Sequence, residues 1–257
     1  MATIEGTLFS RSVAEVSEET FSLSILWEND DLLIVDKPAP LLVHPTRPNG
    51  EQTLLGILQV TRPSSFYALV NRLDRETSGL VVVAKSSEAA SLLGKMMMRR
   101  EIKKTYLAIA RGRVCWDRLR IERPIGRIGV NEENPIYARQ GIMTEGEPAI
   151  TECWVQKRLR DTTLLKIRLE TGKLHQIRVH LESVDHPVLG DKLYGVESKI
   201  YLEMCEGKGF ESYMSILRLP RHALHASELE FQWNGKPIQV RSPLPADLEV
   251  FVAQNSY

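Results

Sequence analysis

A chain of 257 residues, 43% apolar and 26% charged with 33 basic against 33 acidic side chains, describes an ordinary soluble globular protein large enough to bury a substantial core. No apolar run approaches the roughly 20 residues of a membrane span, and the acidic opening MATIEGTLFSRSVAEVSEET lacks the basic-then-apolar layout of a secretory signal. The three cysteines, Cys115, Cys153 and Cys205, are odd in number and far apart, which points to a reducing compartment and away from a disulfide framework or zinc site.

In chain order, LSILWEND and DLLIVDKP predict a hairpin turning at Asn29-Asp30, and TLLGILQV a short helix. GLVVVAK is a buried strand by its β-branched run. SSEAASLLGKMMM has a Ser N-cap, an early Glu and apolar residues at helical spacing. KKTYLAIARG alternates as a strand, and ITECWVQKRLRDTTLLKIRLE reads as two strands joined at Arg160-Asp161. LHQIRVHLESV predicts a helix after the Thr171-Gly172 turn. ALHASELEFQWNGKPIQVRSP is a hairpin with Asn234-Gly235 as its tight turn, and PADLEVFVAQ closes as a helix begun by Pro. Adjacent hairpins with few βαβ crossovers predict an α+β architecture on a mainly antiparallel sheet. No linker interrupts the chain; residues 1–20 form a short acidic extension, and residues 21–257 form one domain.

The zero net charge hides a polar distribution. Residues 1–60 carry nine acids and three bases, whereas residues 95–127 carry eleven bases and three acids. The densest part, GKMMMRREIKK, holds Lys95, Arg99, Arg100, Lys103 and Lys104. Such a stripe is either the footprint of a polyanion or simply a solvated helix end.

Two segments carry chemistry. NRLDRETSGLVVVAK places one carboxylate, Asp74, between Arg72 and Arg75, ahead of Thr77, Ser78 and Gly79. Neighbouring cations favour the ionised acid, so this loop holds a carboxylate charged and aimed. LETGKLHQIRVHLESVDHPVLGDKLYG concentrates Lys173, His175, Gln176, Arg178 and His180. Arg178 lies between Ile177 and Val179 and needs a partner, because an unpaired buried charge is expensive. Asp74 is the partner expected, with a helix-to-sheet salt bridge as the plainer reading. His175 and His180, five apart, point in different directions on a helix, which argues against a metal site and for capping or core-packed roles. His44, His222 and His225 read as structural, and no phosphate loop, dinucleotide fingerprint or nucleophile elbow is present.

RLDRETSG, KKTYLAIARG and the 169–195 segment, in this order, resemble the signature segments of the RluA-type pseudouridine synthases. ENDDLLIVDKPAPLLVHP, RHALHASELEF and SPLPADL fit the same family, so the resemblance spans roughly residues 23–250. It implies a catalytic domain on a bent, mainly antiparallel mixed sheet with flanking helices. It also implies isomerisation of specific uridines in structured RNA, tRNA or rRNA, to pseudouridine without cofactor or metal. Carried over, Asp74 is the catalytic aspartate, Tyr106 the tyrosine that stacks on the target base and helps move its proton, and Arg178 the basic partner of the aspartate. Arg72 takes the arginine that fills the gap left by a flipped nucleotide. Lys95, Arg99, Lys103, Lys104 and Lys173 are the expected RNA contacts.

Asn71 stands where the family usually has His, and Lys173 where Arg is common. No basic S4-type module precedes these segments, so a compact RNA element, a monomer and a cytoplasmic location are expected. The alternatives are an inactive RNA-binding protein of the same fold and an aspartate-dependent nucleoside hydrolase, the latter disfavoured by the lack of a second well-placed acid.

Overall fold

A computed structural model describes residues 23–45, 51–128 and 136–257; the acidic extension over residues 1–20 lies outside the described residues. Twelve strands and six α-helices follow one another along the described chain. They are β1 (Ser24–Glu28), β2 (Leu32–Lys37), α1 (Leu54–Thr61), β3 (Ala68–Leu69), β4 (Ser78–Ala84), α2 (Ser87–Met98), β5 (Lys103–Arg111), β6 (Arg118–Glu122), β7 (Ile125–Arg127) and β8 (Gln140–Ile142). The second half adds β9 (Ile150–Arg158), β10 (Thr162–Leu169), α3 (Gln176–Glu182), α4 (Ser198–Cys205), α5 (Met214–Leu217), β11 (Leu224–Trp233), β12 (Lys236–Arg241) and α6 (Ala246–Gln254). Ten strands form one sheet along the path β1-β2-β4-β11-β5-β10-β9-β6, with β3 on β4 and β12 on β11. Every pairing is antiparallel except β4 with β11.

Local chemistry accounts for the elements the sequence predicts. Asn29 Oδ1 accepts from the amides of Asp31 and Leu32 and closes the first turn. Asn234 and Gly235 both take positive φ, as a two-residue hairpin turn of this hand requires. Ser86 caps α2 by accepting from the Ala89 amide. The expected helix over 174–184 starts only at Gln176, because His175 sits in the left-handed region. Strands β3 and β6 to β8 and helices α4 and α5 are not predicted: they are too short to show a period, and while Ile121 of β6 joins the main core, Ile125, Ile200 and Leu217 pack in small local clusters.

The sheet is covered on both faces. Leu33, Val35, Val81 and Val83 face a core shared with α1, α3 and α6, while Leu32, Ile34, Leu80 and Val82 face α2 and the β11–β12 hairpin. That double coverage is why all seven residues of β4 are buried and why its sequence runs without a polar side chain from Gly79 to Ala84. The parallel contact with β11 brings the backbones so close that a Cβ on Gly79 would lie 2.2 Å from the Ala226 carbonyl oxygen, and Gly79 itself has φ +109°. Gly79, the second residue of β4, is therefore a close-approach point.

Candidate active site

The loop from Val70 to Thr77 delivers Asp74 to the N-terminal end of β4, and it is tied down from several sides. Asn71 is buried and borders the cleft; its side-chain amide donates to the Leu80 carbonyl and its oxygen accepts from the Val82 amide, so it braces β4 at the cleft wall. Thr77 Oγ1 lies 2.7 Å from His222 Nε2 and Ser78 Oγ 3.0 Å from His225 Nδ1, which gives both histidines the structural roles expected. The fully buried Lys37 donates to the carbonyls of Pro38, Leu41 and Arg75. Burial lowers its ammonium to about 7, against the opposing pull of the Asp74 charge. Glu76 accepts from the His222 amide and pairs with Lys192.

Arg178, in α3, meets Asp74 across 104 positions of sequence, with Nη1 2.9 Å from Asp74 Oδ2. The ion pair expected between them is present. Its geometry holds a further partner: Nε and Nη2 grip Asp191 in a fork, at 2.6 and 2.9 Å. Asp191 is fully buried, and its Oδ1 also accepts from the amides of Leu193 and Tyr194. Burial opposes its ionisation, but Arg178 and these donors outweigh that and hold the carboxyl down at about 2. Asp74 keeps a quarter of its side chain exposed. There too burial opposes ionisation, and Arg178, helped by His175 and His222, pulls the carboxyl below its ordinary range. The result is one ionised carboxylate facing an open cleft, backed by a buried guanidinium that a second carboxylate locks in place.

The cleft in front of Asp74 has a volume of about 610 Å³ and is lined by Leu42, Val43, Leu69, Tyr106, Leu169 and Leu174, among others. Tyr106, from the middle of β5, is 6% exposed and forms a wall beside the acid. Burial, then the Asp74 charge, pushes its phenol well up, so the ring stands as a neutral surface. Arg72 sits exposed at the mouth, 3.4 Å from His44 Nε2. Gln176 organises the 171–175 turn: its oxygen accepts from Thr171 and the Lys173 amide, and its amide donates to Ile150 and Thr151. Lys173 lines the cleft and pairs with Glu147.

The basic stripe divides. Lys103 and Lys104 line a second groove of about 610 Å³ with Arg100 and Arg168, and Lys104, Leu169 and Lys173 border both this groove and the cleft in front of Asp74. Lys95 and Arg99 are exposed on and just beyond α2 and line neither. A larger cavity of about 770 Å³ lies beside α4, and two of its acids are already matched: Glu182 accepts from Arg139 and the Gly195 amide, and Glu203 pairs with Lys208. Asp191, His175 and Tyr194 belong to the site although residue patterns did not single out Asp191 or Tyr194. The available signal was a lone acid in GDKLYG three residues before a tyrosine. His180 is core-packed as expected, bonded to Thr151 and the Arg123 carbonyl. His175 instead makes no cap hydrogen bond and lines the cleft. Among the described residues no cluster of metal-ligating side chains occurs, and no helix is long and apolar enough to cross a membrane.

Residues 31–183 match the family described as RNA pseudouridylate synthase. The chain is 39% identical over 237 residues to the ribosomal large subunit pseudouridine synthase D of Nitrosomonas europaea, covering 90% of this chain but 64% of that relative. It is 36% identical to the protein of the same name from Haemophilus ducreyi, over 91% of this chain and 73% of the relative. The human RNA pseudouridylate synthase domain containing 1 superposes with a TM-score of 0.68 at 26% identity, covering 88% and 85% of the two chains. With the Asp74 loop and Arg178 inside residues 31–183 and a relative matching over 91% of the chain, this chain belongs to the RNA pseudouridylate synthase family.

Proposed function

We propose that this protein isomerises uridine to pseudouridine in RNA, with large-subunit ribosomal RNA as its substrate class and residues 21–257 as a single catalytic domain. The observation that carries the reading is Asp74: an ionised carboxylate at the floor of an apolar-walled cleft, held by an arginine that is itself locked. The reaction breaks the bond between C1′ and N1, turns the uracil within the site and joins C5 to C1′. A carboxylate placed this way either attacks C1′ or assists proton removal at C2′. Tyr106 stacks against the base as a neutral ring, and the apolar side of the cleft, with Leu42, Leu69 and Leu169, packs against the substrate and displaces water from the reactive sugar when RNA is bound. Arg72, at the mouth, has the reach and planar cation to occupy the space a flipped nucleotide leaves.

The names of the curated relatives support ribosomal RNA over tRNA. A hydrolase with two working carboxylates is disfavoured, because the second acid of the site, Asp191, is buried with both oxygens committed. The three free cysteines accord with action in the cytoplasm. The test is sequencing of ribosomal RNA with a pseudouridine-selective chemical mark, from cells with the protein, without it, and with only Asp74→Asn. A uridine position marked in the first sample and in neither of the others establishes the activity; identical maps refute it.

A further inference from the structure

His175 occupies a backbone conformation, φ 57° and ψ 16°, that non-glycine residues rarely adopt, yet makes no cap bond to the helix it precedes. Its ring is held instead by a chain of hydrogen bonds whose direction can be worked out. The Gln140 amide N–H lies 3.0 Å from the hydroxyl oxygen of the buried Tyr194 and can only donate. Tyr194 Oη lies 2.8 Å from His175 Nδ1. The Tyr194 hydroxyl proton has no other acceptor among the described residues, so we assign it to Nδ1, which places the proton of a neutral His175 on Nε2. Nε2 lines the cleft 3.9 Å from Asp74 Oδ2, outside hydrogen-bond reach, and no hydrogen-bond partner for it occurs among the described residues. Burial, and next the Arg178 charge, lower the imidazole to about 4, so at neutral pH the donor is uncharged and does not close onto the carboxylate.

We infer that His175 is a catalytic hydrogen-bond donor, its Nε2–H fixed by the Gln140–Tyr194 relay and held for the uracil oxygen that gains charge as the glycosidic bond breaks. This rests on the isomerase reading. When the bond between C1′ and N1 breaks, its electron pair leaves with the uracil and spreads over N1, O2 and O4. The C1′ to C5 bond then forms, C5 loses its proton, N1 gains one, and there is no net oxidation or reduction. The detached anion lies beside Asp74, already negative, and Arg178 is shared between two carboxylates. A neutral donor beside the acid stabilises the new charge without neutralising Asp74, as preorganised donors do where charge develops. Tyr194 is then a positioning residue, acting through His175.

The experiment uses RNA tritiated at uridine C5, taken from cells lacking the protein, and reads tritium release by wild type, His175→Leu, His175→Gln and Tyr194→Phe, each checked for folding by circular dichroism. His175→Leu lowers kcat by about 10²- to 10³-fold, the effect of removing one such donor, with KM little changed. His175→Gln, whose amide N–H reaches the same region, recovers most of the loss. Nitrogen NMR shows the Nε2–H tautomer in wild type and a mixture in Tyr194→Phe, which a merely structural histidine would not predict. Release by His175→Leu within about threefold of wild type, failure of Gln to outperform Leu, or an Nδ1–H tautomer overturns the donor role alone. No release by wild type overturns the isomerase reading, and this inference with it.

Discussion

Replacing Arg178 with methionine isolates the energetic consequence of one cation serving two acids. The change keeps an unbranched apolar stem and removes the guanidinium with its three charge-assisted hydrogen bonds, of 2.9, 2.6 and 2.9 Å. It strands Asp191, which is fully buried, and leaves Asp74, a quarter exposed, without its main partner. Removing one partner of a buried pair costs about 3–5 kcal/mol, and most of it here falls on Asp191. The sign with pH follows from the shifts. In the wild type the Asp191 carboxyl is held at about 2, below its ordinary 3.8, so its contribution to stability is present above the ordinary value and is lost as pH falls through about 2. Without the guanidinium, burial, the largest influence on it, outweighs the donating amides of Leu193 and Tyr194 and raises that carboxyl above its ordinary value. The variant is then most destabilised at neutral and higher pH, and the gap narrows as acid protonates the stranded group. Urea unfolding at about pH 8 and about pH 5.5 measures both quantities. The double change Arg178→Met with Asp191→Asn regains part of the stability at the higher pH but no turnover. A loss under about 1 kcal/mol, or one of equal size at both pH values, refutes the argument that Arg178 neutralises the buried Asp191 as well as Asp74 at the cleft.

Three further outcomes follow from the geometry. Asp74→Asn keeps the fold and RNA affinity but lowers pseudouridine formation at least about 10²–10⁴-fold, the range for a positioned acid or base; near-wild-type turnover in a tritium-release assay would remove Asp74 from the chemistry. Neutralising Lys103, Lys104 and Arg168, which border the groove leading from the cleft, weakens RNA binding and flattens the plot of log affinity against log salt by about 2, given a slope near −0.7 to −0.9 per phosphate contact. The Lys95 and Arg99 pair, outside the groove, changes the slope less, and equal effects would argue against the groove as the RNA path. Gly79→Ala destabilises severely in thermal melts, because the added Cβ meets the Ala226 backbone at 2.2 Å and the residue stands at φ +109°; an unchanged midpoint would mean that β4 and β11 separate without cost.

Much of this protein is determined by local sequence. The Asn29 and Asn234-Gly235 turns, the Ser86 cap and the apolar run of β4 follow from side-chain chemistry acting over a few residues, and their elements lie where the residues predict them. The acid among cations in RLDRETSG and the arginine between apolar neighbours in HQIRVH mark the two halves of the site, because an isolated charge in such surroundings requires a partner. The partition of that partner was decided by tertiary structure. Asp191 reaches Arg178 only because the turn after Gly190 folds back beneath α3, and nothing in a one-dimensional pattern separates a buried acid from a surface one. The same holds for His175: its spacing from His180 permits a cap or a core role, and only the Gln140–Tyr194 contact orients its ring toward Asp74. The basic stripe was legible as charge, but the packing of α2 against the sheet set which cations reach the groove, since a helix end and a strand diverge in direction although they adjoin in sequence.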